Sequence, residues 1–190
     1  MNTSTTDGRR LRTEQSRQRI IDAMIELTYE GMLEPTAEQV SERAGVAMRT
    51  VFRHFNDMES LYSELSRLTL ERVQPLLEAE IGGATWEETL HNLIERRARL
   101  YEEIAPLRRA GGLKRHRSEF LERNQRYWAR IGRRTLATVL PGHLAAEPWR
   151  LEALDLLLSF ESWDRLRREQ KLSARRARDV LHSAANELTQ

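Results

Sequence analysis

No cysteine occurs among the 190 residues. Structural disulfides, thiolate metal sites and cysteine nucleophiles are therefore excluded. Proline and glycine are sparse, 5 and 9 respectively, so each one acts as punctuation whose position carries information. Long hydrophobic runs are also missing. The most apolar stretch, LEALDLLLSF at residues 151–160, is interrupted by acids and falls short of the roughly eighteen apolar residues a spanning helix needs. The opening segment MNTSTTDGRRLRTEQSRQRI has no apolar run of the kind found in a signal peptide. These absences lead to the expectation of a soluble, cytoplasmic protein with no membrane partner.

Neither sign of charge dominates: 31 Lys and Arg stand against 29 Asp and Glu, a formal net charge of +2. Bulk charge thus decides nothing about polyanions, and placement must. Residues 1–60 hold eight arginines against ten acids, although Arg9, Arg10, Arg12, Arg17 and Arg19 crowd the beginning, and a second basic run, RRAGGLKRHR, occupies 108–117. Catalytic signatures are missing too. The five histidines, His54, His91, His116, His143 and His182, form no HExxH pair, and no GxGxxG, P-loop or GxSxG pattern occurs. Glu87 with Glu88 and Glu102 with Glu103 are adjacent, which keeps neither pair on one helical face for shared acid–base work. The expectation is a protein that is no enzyme and carries no cofactor or metal.

What is present is helical periodicity. Residues 1–10 read as disordered, and a first helix is predicted over 14–30, with Thr13 as cap, Ile20, Ala23, Met24 and Leu27 at helical spacing, and Gly31 as stop. Thr36 and Gln39 have the spacing of a capping box for a second short helix that ends at Gly45. A third helix follows three residues later and runs to about Phe55. Asn56 or Asp57 then caps a fourth, carrying Leu61, Leu65 and Leu68, to about residue 81. Further helices are predicted from Thr85 to a break at Pro106 or at Gly111 and Gly112, over 115–139, over 148–170 and over 173–188. No alternating β pattern or internal repeat stands out, and the fold class is all-α.

Two short helices around a glycine turn form a helix-turn-helix, whose second helix can enter the major groove. In SERAGVAMRTVFRHF, residues 41–55, Ala44, Val46, Val51 and Phe55 face a small core, leaving Met48, Arg49, Thr50, Arg53 and His54 outside. Arginine can donate in parallel to a guanine edge, and threonine can meet a base or a methyl group. A short turn of this kind also occurs in helical proteins that bind no DNA.

Residues 14–61, above all TAEQVSERAGVAMRTVFRHFNDMESLY, resemble the DNA-binding domain of the TetR family of bacterial transcriptional regulators. The resemblance implies an operator in double-stranded DNA, a homodimer and a small-molecule effector. It also implies DNA contacts from Thr36, Ala47, Met48, Arg49, Thr50, Phe52, Arg53 and His54, with Arg9, Arg10, Arg12 and Arg17 as arm residues. The implied organisation is a flexible basic arm at 1–12, a three-helix helix-turn-helix domain at 13–57 with helix 4 at about 57–81 as connector, and a ligand-sensing and dimerisation domain at 58–190. Three positions depart from the family pattern. Ala47 stands where serine or threonine is common, Phe52 where tyrosine is, and Met58 where lysine is, so three polar backbone contacts are lost. Repression by blocking a promoter is the simpler expectation than activation.

The larger half has no specific motif. Residues 148–170 are apolar nearly all round, a pattern that asks for burial on several sides, and Ala177, Leu181, Ala184 and Leu188 make a narrow face on the last helix. These, with Leu151, Leu154 and Leu158, are the expected dimer interface; the plain alternative is that both helices complete a monomer core. Trp86, Ile94, Tyr101, Phe120, Tyr127, Trp128, Phe160 and Trp163 are candidate walls of an effector cavity, with Arg97 to orient a polar group, although aromatic residues at helical spacing are more often ordinary core. The basic run 108–117 is expected in this half, as a solvated loop. A helical protein-interaction adaptor without sequence-specific DNA binding is the competing function.

Overall fold

In a computed structural model of the chain, residues 4–114 and 118–190 are described, apart from the side chains of 4–7, 9 and 112–114. Arg115, His116 and Arg117, and the side chains of Arg9 and Lys114, thus lie outside the described residues. Among the described residues all regular structure is helical: α1 (Ser4–Tyr29), α2 (Ala37–Ala44), α3 (Met48–His54), α4 (Met58–Glu78), α5 (Trp86–Lys114), α6 (Glu119–Val139), α7 (Gly142–Ala145), α8 (Pro148–Leu157), α9 (Phe160–Asp164), a π-helical turn (Arg165–Glu169) and α10 (Ala174–Thr189). No helix among them is long and apolar enough to cross a membrane.

Two compact units divide the chain, Met1–Arg72 with Pro106–Glu122, and Val73–Ala105 with Arg123–Gln190. The first has its own core. Ile20, Met24 and Leu27 of α1 pack with Val40, Val51 and Phe55 and with Leu61, Tyr62 and Leu65 of α4. This cluster also takes in Ala110 and Leu121, which is why the unit continues past the expected boundary at residue 57 and draws in 106–122. The described part of the basic run 108–117 accordingly belongs to this unit rather than to the larger half. The second core joins Leu93, Ile94 and Tyr101 of α5, Leu136 of α6, Leu154 and Leu158, Trp163, and Ala177, Leu181 and Ala185 of α10.

Three expected elements differ. The first helix starts at Ser4, ten residues before position 14, so Arg10 and Arg12 project from a helix rather than from a flexible arm. Gly8 is the one strong helix breaker in that stretch, and Arg12 Nε and Ser16 Oγ donate back to the carbonyls of Gly8 and Arg12. In α5 the helix runs through Pro106 and Gly111 without the predicted break. Burial of Ile104 and Ala105 before the proline and of Ala110 after it offsets the one backbone hydrogen bond that proline removes.

The single helix expected over 148–170 is three pieces. Ser159 interrupts it by accepting a hydrogen bond from Ser162 N at 3.1 Å, which opens α9. The interruption turns the chain so that Leu154, Leu158, Phe160 and Trp163, which no single stripe of a straight helix could bury, all reach one core.

Candidate nucleic-acid interface

The turn between α2 and α3 is built from local interactions. Thr36 Oγ1 accepts from Gln39 N at 3.2 Å, while Gln39 Oε1 accepts from Thr36 N at 2.9 Å, completing the capping box. At the other end Gly45 adopts φ 61° and ψ 41°, the left-handed region that glycine enters without steric cost. Its N–H donates to Glu42 O at 3.1 Å and that of Val46 to Ser41 O at 3.0 Å, the paired bonds of a Schellman motif. Val46 packs against the first core, as the motif's hydrophobic contact requires.

This turn sets the exposure of α3. Val51 is buried and Phe55 just beyond it is 4% exposed, whereas Met48 is 51% and Phe52 46% exposed. Arg49 and Arg53 are exposed as well, and Thr50 is half-buried. Ala47 occupies the N-cap position and supplies no side-chain cap, the loss that alanine brings at such a position. Thr36 is exposed; its hydroxyl accepts the capping bond and keeps its proton for another acceptor.

Two expected DNA contacts are placed differently. Arg17 donates to Glu64 Oε1 at 2.6 Å and lies over the Phe55 ring, 5.3 Å from its centroid. That guanidinium holds α1 to α4 and to the end of α3 rather than standing outward, because Glu64 is only 14% exposed and needs a partner. Arg67 first, then Arg17, holds the Glu64 carboxyl down at about 2. His54 is half-buried, and its Nε2 is shielded from solvent with no hydrogen-bond partner. Burial, seconded by the charges of Arg53 and Arg17, pushes its imidazole below the ordinary value. The outward set is thus Met48, Arg49, Phe52 and Arg53 on α3, with Arg10 and Arg12 exposed on α1, and the α3 face offers donors and apolar contacts of the kind that meet base edges and phosphates.

The expected interface and cavity residues of the second unit are redistributed. Leu154, Leu158, Ala177 and Leu181 are at most 1% exposed within a single subunit, so they cannot also meet a second copy. Leu151, Ala184 and Leu188 are half-buried. The apolar surface left outside is Trp149, 57% exposed, and Leu156, 71% exposed, on α8. On α10 a shallow groove of about 360 Å³ is lined by Arg176, Asp179, Val180, Ser183, Ala184 and Glu187. Burial of the 177–181–185 face turns this flank outward, and the sequence pattern alone could not tell the two faces apart.

Among the cavity candidates, Arg97, Tyr101, Phe160 and Trp163 come together. Arg97 is 5% exposed and donates to Leu158 O at 2.9 Å and to Gly132 O. Tyr101 Oη donates to the same Leu158 oxygen at 2.7 Å, and its ring meets Phe160 edge-on at 5.7 Å. Trp163 is fully buried and donates Nε1 to Glu102 Oε1 at 2.9 Å. Ile94 is buried, and Trp86 and Trp128 pack half-buried against this core. Tyr127 is 38% exposed, and Phe120 packs against the first unit's core instead. It lies in the segment that the first unit recruits, so it walls no cavity of the second.

Residues 20–65 match the family model for bacterial regulatory proteins of the tetR family. A solved transcriptional regulator from Rhodococcus sp. Rha1 has a similar fold, with a TM-score of 0.67 and 18% identity over 93% of this chain and 95% of that one. A TetR-like transcriptional regulator from Rhodococcus sp. RHA1 gives a TM-score of 0.64 and 15% identity over 90% of this chain and 92% of that one. At these identities the likeness is one of fold. No curated protein gives a significant sequence match.

Proposed function

We propose, for a chain whose residues 20–65 form a TetR-family helix-turn-helix domain, that the protein is a transcriptional regulator binding a roughly palindromic operator as a homodimer and released by a small-molecule effector. The observation that carries the DNA reading is the exposed face of α3, with Met48, Arg49, Phe52 and Arg53 outward on a Schellman turn. Arg49 and Arg53 are the base-reading candidates, and Thr36, Arg10 and Arg12 the backbone ones. Repression by occupying the promoter needs no further surface.

Dimerisation supplies two such helices at a fixed spacing on the duplex. The pairing surface is the outer side of α8 and α10, around Trp149, Leu156, Val180 and Ala184, which replaces the buried set expected from periodicity. An effector changes DNA affinity only if it binds two conformations unequally. Arg97, Tyr101 and Phe160 surround the interrupted helix and make that segment the element an effector would reorganise. Helices α4, α5 and α6 each contribute residues to both units and are the routes by which such a change would reach the DNA domain.

Selection of bound fragments from a random DNA pool tests the first part. Enrichment of a palindromic motif, with affinity falling steeply as salt rises, is the expected result. Arg49→Ala should then relax discrimination at one position per half-site by about 1–3 kcal/mol, and unchanged discrimination removes Arg49 as a reader. Leu156→Glu should convert the dimer to monomer in sedimentation velocity, because it places a charge in an apolar interface. An unchanged dimer would move the interface elsewhere.

A further inference from the structure

We propose that His91, Glu95 and His182 form a binding site for one divalent transition-metal ion of the zinc class. This site lies wholly in the second unit and does not depend on the DNA-binding reading. His91 and Glu95 are one helical turn apart on α5, and His182 comes from α10. One ligand-capable atom from each lies within 4.8 Å of the other two.

The spacing suits a shared ion. His182 Nε2 is 3.0 Å from Glu95 Oε1, close to the separation of about 3.4 Å between two ligand atoms that each sit about 2.1 Å from a tetrahedral centre. The rings of His91 and His182 stack with centroids 3.9 Å apart and an interplanar angle of 18°. Two imidazole rings side by side next to a carboxylate can offer nitrogen and oxygen lone pairs to one cation. A modest rotation of the His91 ring, which is exposed, brings its nitrogen to the ion without disturbing the core.

The donor set decides the metal class. Two imidazole nitrogens and one carboxylate oxygen suit zinc, nickel, cobalt or copper, while magnesium and calcium favour all-oxygen shells. Three protein ligands leave a fourth position for water. His182 is 17% exposed and Glu95 33% exposed at the side chain, so the site is reached from solvent yet held by two helices. The ion ties residues 87 positions apart in the chain, joining α10 to α5.

One neighbour opposes binding. Arg178 Nε stands 3.4 Å from the same Glu95 Oε1 and must release that oxygen as the ion arrives. Arg178 therefore lowers the affinity of the site, which gives the proposal a substitution of opposite sign to the ligand losses.

The test is a titration of chelator-treated full-length protein with Co²⁺ alone, followed by its visible absorption, and equilibrium dialysis with Zn²⁺ alone for stoichiometry. Expected are one ion per chain, a cobalt spectrum abolished by added Zn²⁺, and no effect of Mg²⁺. His91→Ala and His182→Ala should each weaken binding by more than about tenfold, since loss of even an outer-shell partner costs that much at metal sites. Arg178→Ala should tighten binding, and His143→Ala, at an exposed position on α7, should leave it unchanged. Because His91 is exposed, His91→Ala retains the fold, and a melting curve without metal verifies this. Absence of saturable uptake, uptake indifferent to His91→Ala, or an Arg178→Ala variant that binds more weakly overturns the site.

Discussion

The helix junctions of the two units are stabilised over very different distances along the chain. Between α2 and α3 every cap comes from within five residues: Thr36 and Gln39 close one end, and Gly45 and Val46 donate to the carbonyls at the other. Between α8 and α9 the Ser159 cap is equally local. The carbonyl of Leu158, however, is held by Arg97 and Tyr101, 61 and 57 residues away. The first junction can form as soon as its own segment is made. The second has its geometry only when α5 has packed against it, and this makes the second unit the better place for a conformational response.

The largest expected effect tests that dependence. Arg97→Met removes the donors serving Leu158 O and Gly132 O and should destabilise the second unit by about 3 kcal/mol, since both carbonyls lose a charged partner. The loss extends to Asp155. Burial pushes its carboxyl above the ordinary value, and the charges of Arg97 and Arg133 pull it back, so the variant should raise it further. Urea unfolding of the variant gives the cost. A loss below about 1 kcal/mol would mean that the α8–α9 junction maintains itself, and the contrast between the units would fall.

A smaller effect is expected at Gly45. Its φ of 61° costs a residue with a Cβ about 1 kcal/mol, and no atom lies within 4 Å of where that Cβ would sit. Gly45→Ala should therefore lower stability by the conformational cost alone, without a clash, and shift the urea midpoint modestly. A larger loss would show that this turn, too, is held by more than its own residues.

The same contrast explains what was legible in the sequence. The capping box at Thr36 and Gln39, the stop at Gly45, the missing cap at Ala47 and the cap of α4 by Asp57, whose Oδ1 accepts from Ser60 N at 2.7 Å, are short-range features written in adjacent residues. The break at Ser159 is also marked by a local cap, but its meaning depends on Arg97 and Tyr101, which no local pattern connects to it. On α10 the faces 177–181–185 and 180–184–187 are each narrow and partly apolar, and only packing settles which one the subunit buries. His54 is placed outward by its helical position, and Arg17 as an arm residue by the family resemblance. Burial against the domain turns His54 inward, and Glu64 and Phe55, both far along the chain from Arg17, draw that guanidinium in. His91 and Glu95 stand one helical turn apart, but no sequence pattern singles them out, and His182 joins them only through the fold.

The finest distinction concerns His54, which sits in the locally built unit yet has an environment set by tertiary packing. Its imidazole is pushed below the ordinary value mainly by burial. Between the folded value and the ordinary one of about 6.5, the unfolded chain takes up a proton that the folded chain refuses. Stability from this group is therefore fully present above about pH 6.5 and declines as pH falls through that value, levelling off once the folded form also protonates. His54→Gln, which cannot titrate, should flatten the pH dependence of the urea midpoint in that window relative to wild type, and identical slopes would mean that His54 titrates as it does when unfolded. Under the proposed function, DNA acts in the other direction. A phosphate close to α3 favours the imidazolium, so operator binding by the wild type should take up protons and strengthen as pH falls, while the free protein grows less stable. If both follow from one side chain, His54→Gln weakens both dependences together. If only the stability slope flattens, His54 belongs to the core of the domain and takes no part in the proposed reading of DNA.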